Sequence, residues 1–391
     1  MGGLPVSSES LAVPSPLDTV IAVPVRNEAE RIAACLRAID AQAGLAPGRL
    51  GLVLFLNNCT DGTPLIVADL IASMSIPVRV IEKTYAGAHA GWARRAAMDA
   101  GAAWLDEAGA AGTLLTTDAD SRVPPDWVAA NLAALDAGAD AVAGRVELIP
   151  EEAALLPPSL PARGKLEDTY DALITEMEAR IDPDPSDPWP CHRTTIGASL
   201  SVRRAAYEAV GGMPEIPLGE DGAFVAALLE RGFRVRHDRA VMVWISARLT
   251  GRAPGGVADT IRSRCEEPDA LCDARMEAVP RALHRYAWRA RLRRLHGQGR
   301  LAHDLAWARN LGIPESEARR IAALPRVGEI VAAVDRASPR LAYRPLMPRQ
   351  LPGQIRFARL ILPALRLALR LRRATPALPP VATLPPATAD A

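Results

Sequence analysis

Two carboxylates separated by one small residue end the apolar run in "GTLLTTDADSRVPPDW", residues 112–127. Side chains two apart on an extended segment point the same way, so Asp118 and Asp120 can converge on one ligand. Paired hard oxygen donors suit Mg2+ or Mn2+, a cation that keeps waters and completes its shell from a diphosphate. The competing reading is a turn, with Asp or Ser closing the strand ahead of a helix begun by Pro124-Pro125-Asp126. Arg26-Asn27-Glu28, Asn57-Asn58 and Glu220-Asp221 are three more polar groups placed next to apolar runs. Each has a plainer reading too: the asparagine pair can form a turn, and the two acids can place negative charge at a helix start.

The elements that must position these groups are legible as alternating runs. Residues 19–25 are apolar on both faces, the pattern of a doubly buried strand. Asn27 then offers a helix cap, ahead of a stripe of Ile32, Cys35, Leu36 and Ile39. Strand-like runs at 51–58, 77–83 and 112–117 alternate with helical ones, which predicts right-handed crossovers and a mostly parallel sheet. Ligands of such a sheet sit beyond its strands' carboxyl ends, so the first three polar groups share one edge by topology alone. After 138–148 the alternation lapses into a helix near 164–181 and a proline-rich loop, "DPDPSDPWP". "GASLSVRRAAYEAVGG" and "GEDGAFVAALLERGFRVRHD" restore strand and helix, and from about residue 255 the chain reads as helical and arginine-rich.

With 49% hydrophobic and 23% charged residues in 391, the composition is that of an ordinary globular protein. A formal net charge of +1 gives no global pull toward nucleic acid. The five cysteines include no CxxC pair, which argues against a disulfide framework or a thiolate metal site and for a reducing compartment. No signal-peptide pattern and no spanning apolar run is evident, so a cytoplasmic protein is expected, with room for a peripheral contact on the inner membrane face. "IRFARLILPALRLALRLRR" (355–373) is a basic amphipathic pattern that could lie on an anionic membrane. Packing on the rest of the protein with solvated arginines is its favoured reading. In "WISARLTGRAPGG", Arg248 and Arg252 flank a glycine; the loop could close over a diphosphate, bind an anionic acceptor, or simply be surface. His237 reads as a satisfied structural histidine, and Trp189, Cys191, His192 and Arg193 are placed on an acceptor side by their order alone.

"VIAVPVRNEAERIAACL", "LNNCTDGT", "DADSRVPPDWV", "GASLSVRRAAYEAVGG" and "GEDGAFVAALLERGFRV" occur in that order. Together they resemble glycosyltransferase family 2, over roughly residues 18–245. The resemblance implies an α/β GT-A fold, Rossmann-like, with a mostly parallel central sheet flanked by helices and a helical C-terminal extension. The expected divisions are a tail at 1–17, a nucleotide-sugar-binding catalytic domain at 18–250, a helical extension at 251–373 and a tail at 374–391, both tails disordered by composition. It also implies an inverting, Mg2+- or Mn2+-dependent hexosyl transfer from a nucleotide diphosphate sugar to a hydroxyl of a glycan, small molecule or lipid-linked acceptor.

By position, Pro24, Arg26, Asn27 and Glu28 would lie near the nucleoside. Asn57 stands where the family usually has a base-reading aspartate, and Leu56 replaces a further acid, so UDP is expected and GDP is possible. In the DxD match, Asp120 would meet the metal directly and Asp118 would lie nearer the ribose, with Ala119 between them. Arg94 or Arg95 would approach the phosphates, Gly197, Ala198 and Ser199 the donor sugar, and Arg248, Arg252 and Glu220 are counted to the donor site. Asp221 would be the general base. Two rivals stand beside this reading: a catalytically silent sugar-nucleotide binder on the same fold, and a sugar-1-phosphate nucleotidyltransferase. The second would open with a glycine-rich basic loop, which "VPVRNEAER" is not.

Overall fold

In a computed structural model, residues 17–374 are described. Apart from Leu17 and Ala374, the expected tails at 1–17 and 374–391 lie outside the described residues.

Seven strands form one mixed sheet: β1 (Thr19–Val25), β2 (Leu50–Asn57), β3 (Val78–Lys83), β4 (Thr113–Thr116), β5 (Ala141–Leu148), β6 (Leu200–Arg203) and β7 (Val235–Ile245). Their order is β3-β2-β1-β4-β6-β5-β7. β1 pairs in parallel with β2 (Thr19 opposite Leu50) and with β4 (Ala22 opposite Thr116). β6 enters between β4 and β5, antiparallel to both, so the sheet is mostly parallel, as expected.

The period of two in each strand divides the core. Ile21, Val23, Leu52 and Leu54 face one side with Trp127, whereas Val20, Ala22, Val53 and Phe55 face the other with Met98. Both faces are buried because helices cover them, which is why β1 and β2 are continuous apolar runs.

The helices, in chain order, begin with α1 (Ile32–Asp40), α2 (Thr63–Ile71), α3 (Ala90–Glu107), α4 (Trp127–Asp136), α5 (Pro150–Ala153), α6 (Ser159–Ile181) and α7 (Arg204–Ala209). They continue with α8 (Glu220–Glu230), α9 (Val257–Glu266), α10 (Val279–Gly297), α11 (Ala306–Leu311), α12 (Glu315–Ala322), α13 (Val327–Ala337) and α14 (Leu351–Ala374). α6 extends the predicted helix to an earlier start and lies between β5 and β6 in sequence. Its Tyr170, Ile174 and Met177 share a core with Val279 and Tyr286 of α10 and with Leu351, Ile355, Ala358 and Leu362 of α14. A second helical core joins α10 to α13 around Trp288, Trp307, Ile321 and Ile330. Among the described residues no helix is long and apolar enough to cross a membrane.

One expected cap fails. α1 begins at Ile32 without a side-chain cap, and Asn27 stands in a left-handed turn at φ 53°. The chain must reverse directly after β1, and asparagine tolerates that conformation at low cost. The Asn27 Oδ1 accepts from the Thr60 N–H at 2.7 Å, and no side chain caps α1.

Candidate functional site

A cavity of about 810 Å3 opens at the carboxyl ends of β1, β2 and β4. β1 and the turn after it contribute Pro24, Arg26 and Glu28, and β2 contributes its last residue, Asn57. The β4 end contributes Asp118, Ala119 and Asp120. The Ser121 N–H bonds to the Asp118 carbonyl at 3.0 Å, so the turn is present and both carboxylates still line the cavity. The opposite wall holds Gly197 with Glu220 and Asp221 from the first turn of α8, and the loop after β7 crosses above with Arg248 and Arg252.

Charge in the site is arranged as two arginine-centred clusters. Buried Arg94 donates from Nη2 to Asp118 Oδ1 at 2.7 Å and from Nε to Glu220 Oε1 at 3.1 Å. Its Nη1 reaches Thr116 Oγ1 at 3.1 Å and the Gly197 carbonyl at 3.0 Å. A Cβ at Gly197 would come within 2.4 Å of the Arg94 guanidinium carbon, so glycine there is what lets the fork lie flat beneath the site. Burial acts to lower the Arg94 pKa, but Asp118 and Glu220 raise it further and keep the group charged. Arg248 forms the second cluster, 2.8 Å from Glu28 Oε1 and 2.9 Å from Asp120 Oδ2. Burial pushes the Glu28 carboxyl up against the opposing pull of Arg248. Burial, together with the neighbouring Asp118 charge, raises Asp120 to about 6.

Asn57 and Asn58 divide the two readings of their pair. Asn57 is buried with its Oδ1 lacking a hydrogen-bond partner, and it lines the cavity. Asn58 is the turn former: at φ 51° its side chain exchanges hydrogen bonds with the backbone of Tyr85 at 2.9 and 3.1 Å. Asp221 stands in the first turn of α8 and also lines the cavity. Its Oδ2 accepts from the Gly197 N–H at 2.8 Å and its Oδ1 from the Gly222 N–H at 2.7 Å.

Several expected site residues lie elsewhere. Arg95 does not line the cavity; its Nε sits 3.3 Å from both Asp99 and Glu215. Ala198 and Ser199 are fully buried outside the cavity lining, with Ser199 Oγ accepting from the Trp127 indole at 3.3 Å. Asn27 presents only its carbonyl near the site, where it accepts from Arg252 at 2.8 Å. Trp189, Cys191, His192 and Arg193 do not line the cavity; Arg193 pairs with Glu178 and Asp187. His237 is a buried structural residue, 2.8 Å from Asp187.

The structure adds Ala88, His89 and Ala90, which approach from the loop before α3, and Pro217, Leu218 and Gly219, which precede the acids of α8. His89 Nδ1 caps α3 by accepting from the Trp92 N–H at 3.2 Å, and Trp92 stacks on Tyr85 at 4.8 Å. The sequence signals were present in "YAGAHAGW", a small-residue loop opening a helix, and in "PLGED", a turn just before two acids.

A divalent cation would find oxygen donors in Asp118 and Asp120. Among the described residues no cluster of three His, Cys, Asp or Glu groups could hold a metal, so water and a diphosphate would have to supply the rest of the shell. The donor chemistry fits: Asp120 is buried beside Asp118 and Glu28, and a cation would relieve that crowding of negative charge.

The chain resembles S. aureus TarS 1–349 solved with UDP-GlcNAc, at 15% identity over 91% of this chain and 92% of that one, with a TM-score of 0.45. It also resembles the mannosyltransferase PcManGT of Pyrobaculum calidifontis solved with GDP-Man and Mn2+, at 18% identity over 83% and 88%, with a TM-score of 0.43. A third likeness is to glucosyl-3-phosphoglycerate synthase of Mycobacterium tuberculosis, solved with Mn2+, UDP and phosphoglyceric acid, at 16% identity over 65% and 80%, with a TM-score of 0.39. No curated protein matches the chain in sequence. Residues 20–189, from β1 to the proline-rich loop, match the family described as Glycosyl transferase family 2.

Proposed function

We propose that this protein transfers a sugar, with inversion, from a nucleoside diphosphate donor to an acceptor hydroxyl, with Mg2+ or Mn2+ at Asp118 and Asp120. The reading rests on one observation: Asn57, the Asp118–Asp120 pair and Asp221 line the same cavity of about 810 Å3. The free Oδ1 of Asn57 can accept from a base N–H, which both uracil and guanine offer; UDP is the first donor to try and GDP the second.

A bound cation would stabilise the departing diphosphate as a Lewis acid. Asp221 takes the acceptor proton as the hydroxyl oxygen bonds to the anomeric carbon, and the bond from that carbon to the diphosphate oxygen breaks. Its two backbone hydrogen bonds, from Gly197 and Gly222, hold the carboxylate in place. Arg94 is a positioning residue that ties the Asp118 turn to the start of α8. Arg248 and Arg252, which line the cavity from the loop after β7, would meet the diphosphate or an anionic acceptor.

Calorimetric titration with UDP and GDP, with and without Mn2+, tests the donor half. One nucleotide should bind in a metal-dependent way, and Asp120→Ala should abolish that dependence. Asp221→Asn should keep donor binding and lose turnover by about 10²–10⁴-fold, the range of a general base. If it turns over donor as the parent does, Asp221 is not the base. If neither nucleotide binds, this reading gives way to a fold without donor binding, or to one that needs its acceptor first.

A further inference from the structure

α14 has two apolar faces. Leu351, Ile355, Ala358 and Leu362 are buried against α6 and α10. On the far side Phe357 is 40% exposed, Leu360 76% and Leu367 58%. With Ala364 they fall at i, i+3, i+7 and i+10, a single stripe roughly opposite the packed one. The helix carries Arg356, Arg359, Arg366, Arg370, Arg372 and Arg373 and no acidic residue. Arg366 is spent on Glu176 of α6, at 2.7 Å. Arg356 and Arg359 are exposed, have no ion-pair partner among the described residues, and flank the stripe on one side.

We infer that this outer face of α14 docks on an anionic lipid bilayer. Anionic headgroups complement the arginines, and the headgroup–acyl boundary accepts leucine and phenylalanine side chains without demanding matched hydrogen bonds. A second copy of the chain is disfavoured as occupant, because face-to-face pairing would bring two acid-free, arginine-rich helices together. Packing on α6 and membrane contact are thus compatible, one on each face. The inference is independent of sugar transfer, since binding to lipid requires no donor.

Co-sedimentation of the full chain with vesicles of phosphatidylcholine, alone or mixed with phosphatidylglycerol, tests it. Binding should require phosphatidylglycerol and weaken with salt. Neutralising both charges (Arg356→Gln with Arg359→Gln) should weaken it about 30-fold, from about 1 kcal/mol per basic residue at a membrane surface. Leu360→Glu with Leu367→Glu should also release the protein. Leu65→Glu, at another exposed leucine, should change nothing. Unchanged circular-dichroism melting of all variants establishes that the fold is kept. Absence of binding, or binding indifferent to the α14 variants, overturns the inference. A concentration-dependent dimer in sedimentation velocity that the leucine variants dissolve would overturn it too, assigning the face to self-association.

Discussion

Arg94 serves four acceptors from one buried guanidinium, and two of them are the acids that begin the two halves of the site. Arg94→Ala leaves Asp118 and Glu220 without their counter-charge, and we expect a loss of about 3–5 kcal/mol in urea unfolding together with donor affinity. Arg94→Lys should not restore it, because an ammonium cannot reproduce the fork. Asp120 sets the pH response. Its carboxyl is raised to about 6 by burial and by Asp118, so protons would compete with a cation bound there. Metal-dependent nucleotide affinity should therefore fall as pH drops through 6 and level off above it, measured calorimetrically; an Asp120→Asn variant should lack that metal-dependent, pH-sensitive component.

Arg94 also shows what the sequence had to offer. Arg94, Ala97, Met98 and Gly101 are spaced as one helical stripe, and all are buried, whereas Arg95 shares its face with Asp99 at the i+4 position. Helical spacing alone could have separated the two arginines. The left-handed turns at Asn27 and Asn58 were less legible, because asparagine is equally at home as a cap or at positive φ.

At the scale of the element, α6 combines buried apolar packing with buried charge. Its Glu178 is nearly enclosed and lies 3.2 Å from Arg193, 3.1 Å from Arg275 and 3.2 Å from Arg289. Burial acts to raise its carboxyl, but the three guanidiniums hold it down at about 2. The resulting stabilisation is complete above the unfolded value of 4.5 and is lost as pH falls through 2. Glu178→Gln should cost about 3–5 kcal/mol at neutral pH by denaturant unfolding, and the difference from the parent should vanish in strong acid. The strands were readable because doubly buried strands are continuous apolar runs. The apolar partners of α6 were not, since Val279 and Tyr286 belong to α10 and Leu351, Ile355, Ala358 and Leu362 to α14, far along the chain, and no local pattern names them.

At the scale of the molecule, topology alone placed the Arg26–Glu28, Asn57 and Asp118–Asp120 groups on one sheet edge, and the structure gathers them there. The loop after β7 that lines the site was visible as a glycine-rich arginine segment, but its anchorage on Glu28 and Asp120 was not, because it joins the ends of β1 and β4 across distant sequence. The helical region similarly presents a pattern of faces without naming what each one meets.

The position of α6 also imposes an order on biosynthesis. A ribosome that has released residues 17–245 has made every strand of the sheet. Tyr170, Ile174 and Met177 must then wait for Val279, Tyr286 and finally Leu362 to emerge before their surface is covered. During that interval the nascent chain presents an apolar stripe on α6, and whatever shields it, whether pausing, a chaperone or early docking elsewhere on the domain, acts on a species that the finished protein no longer reveals.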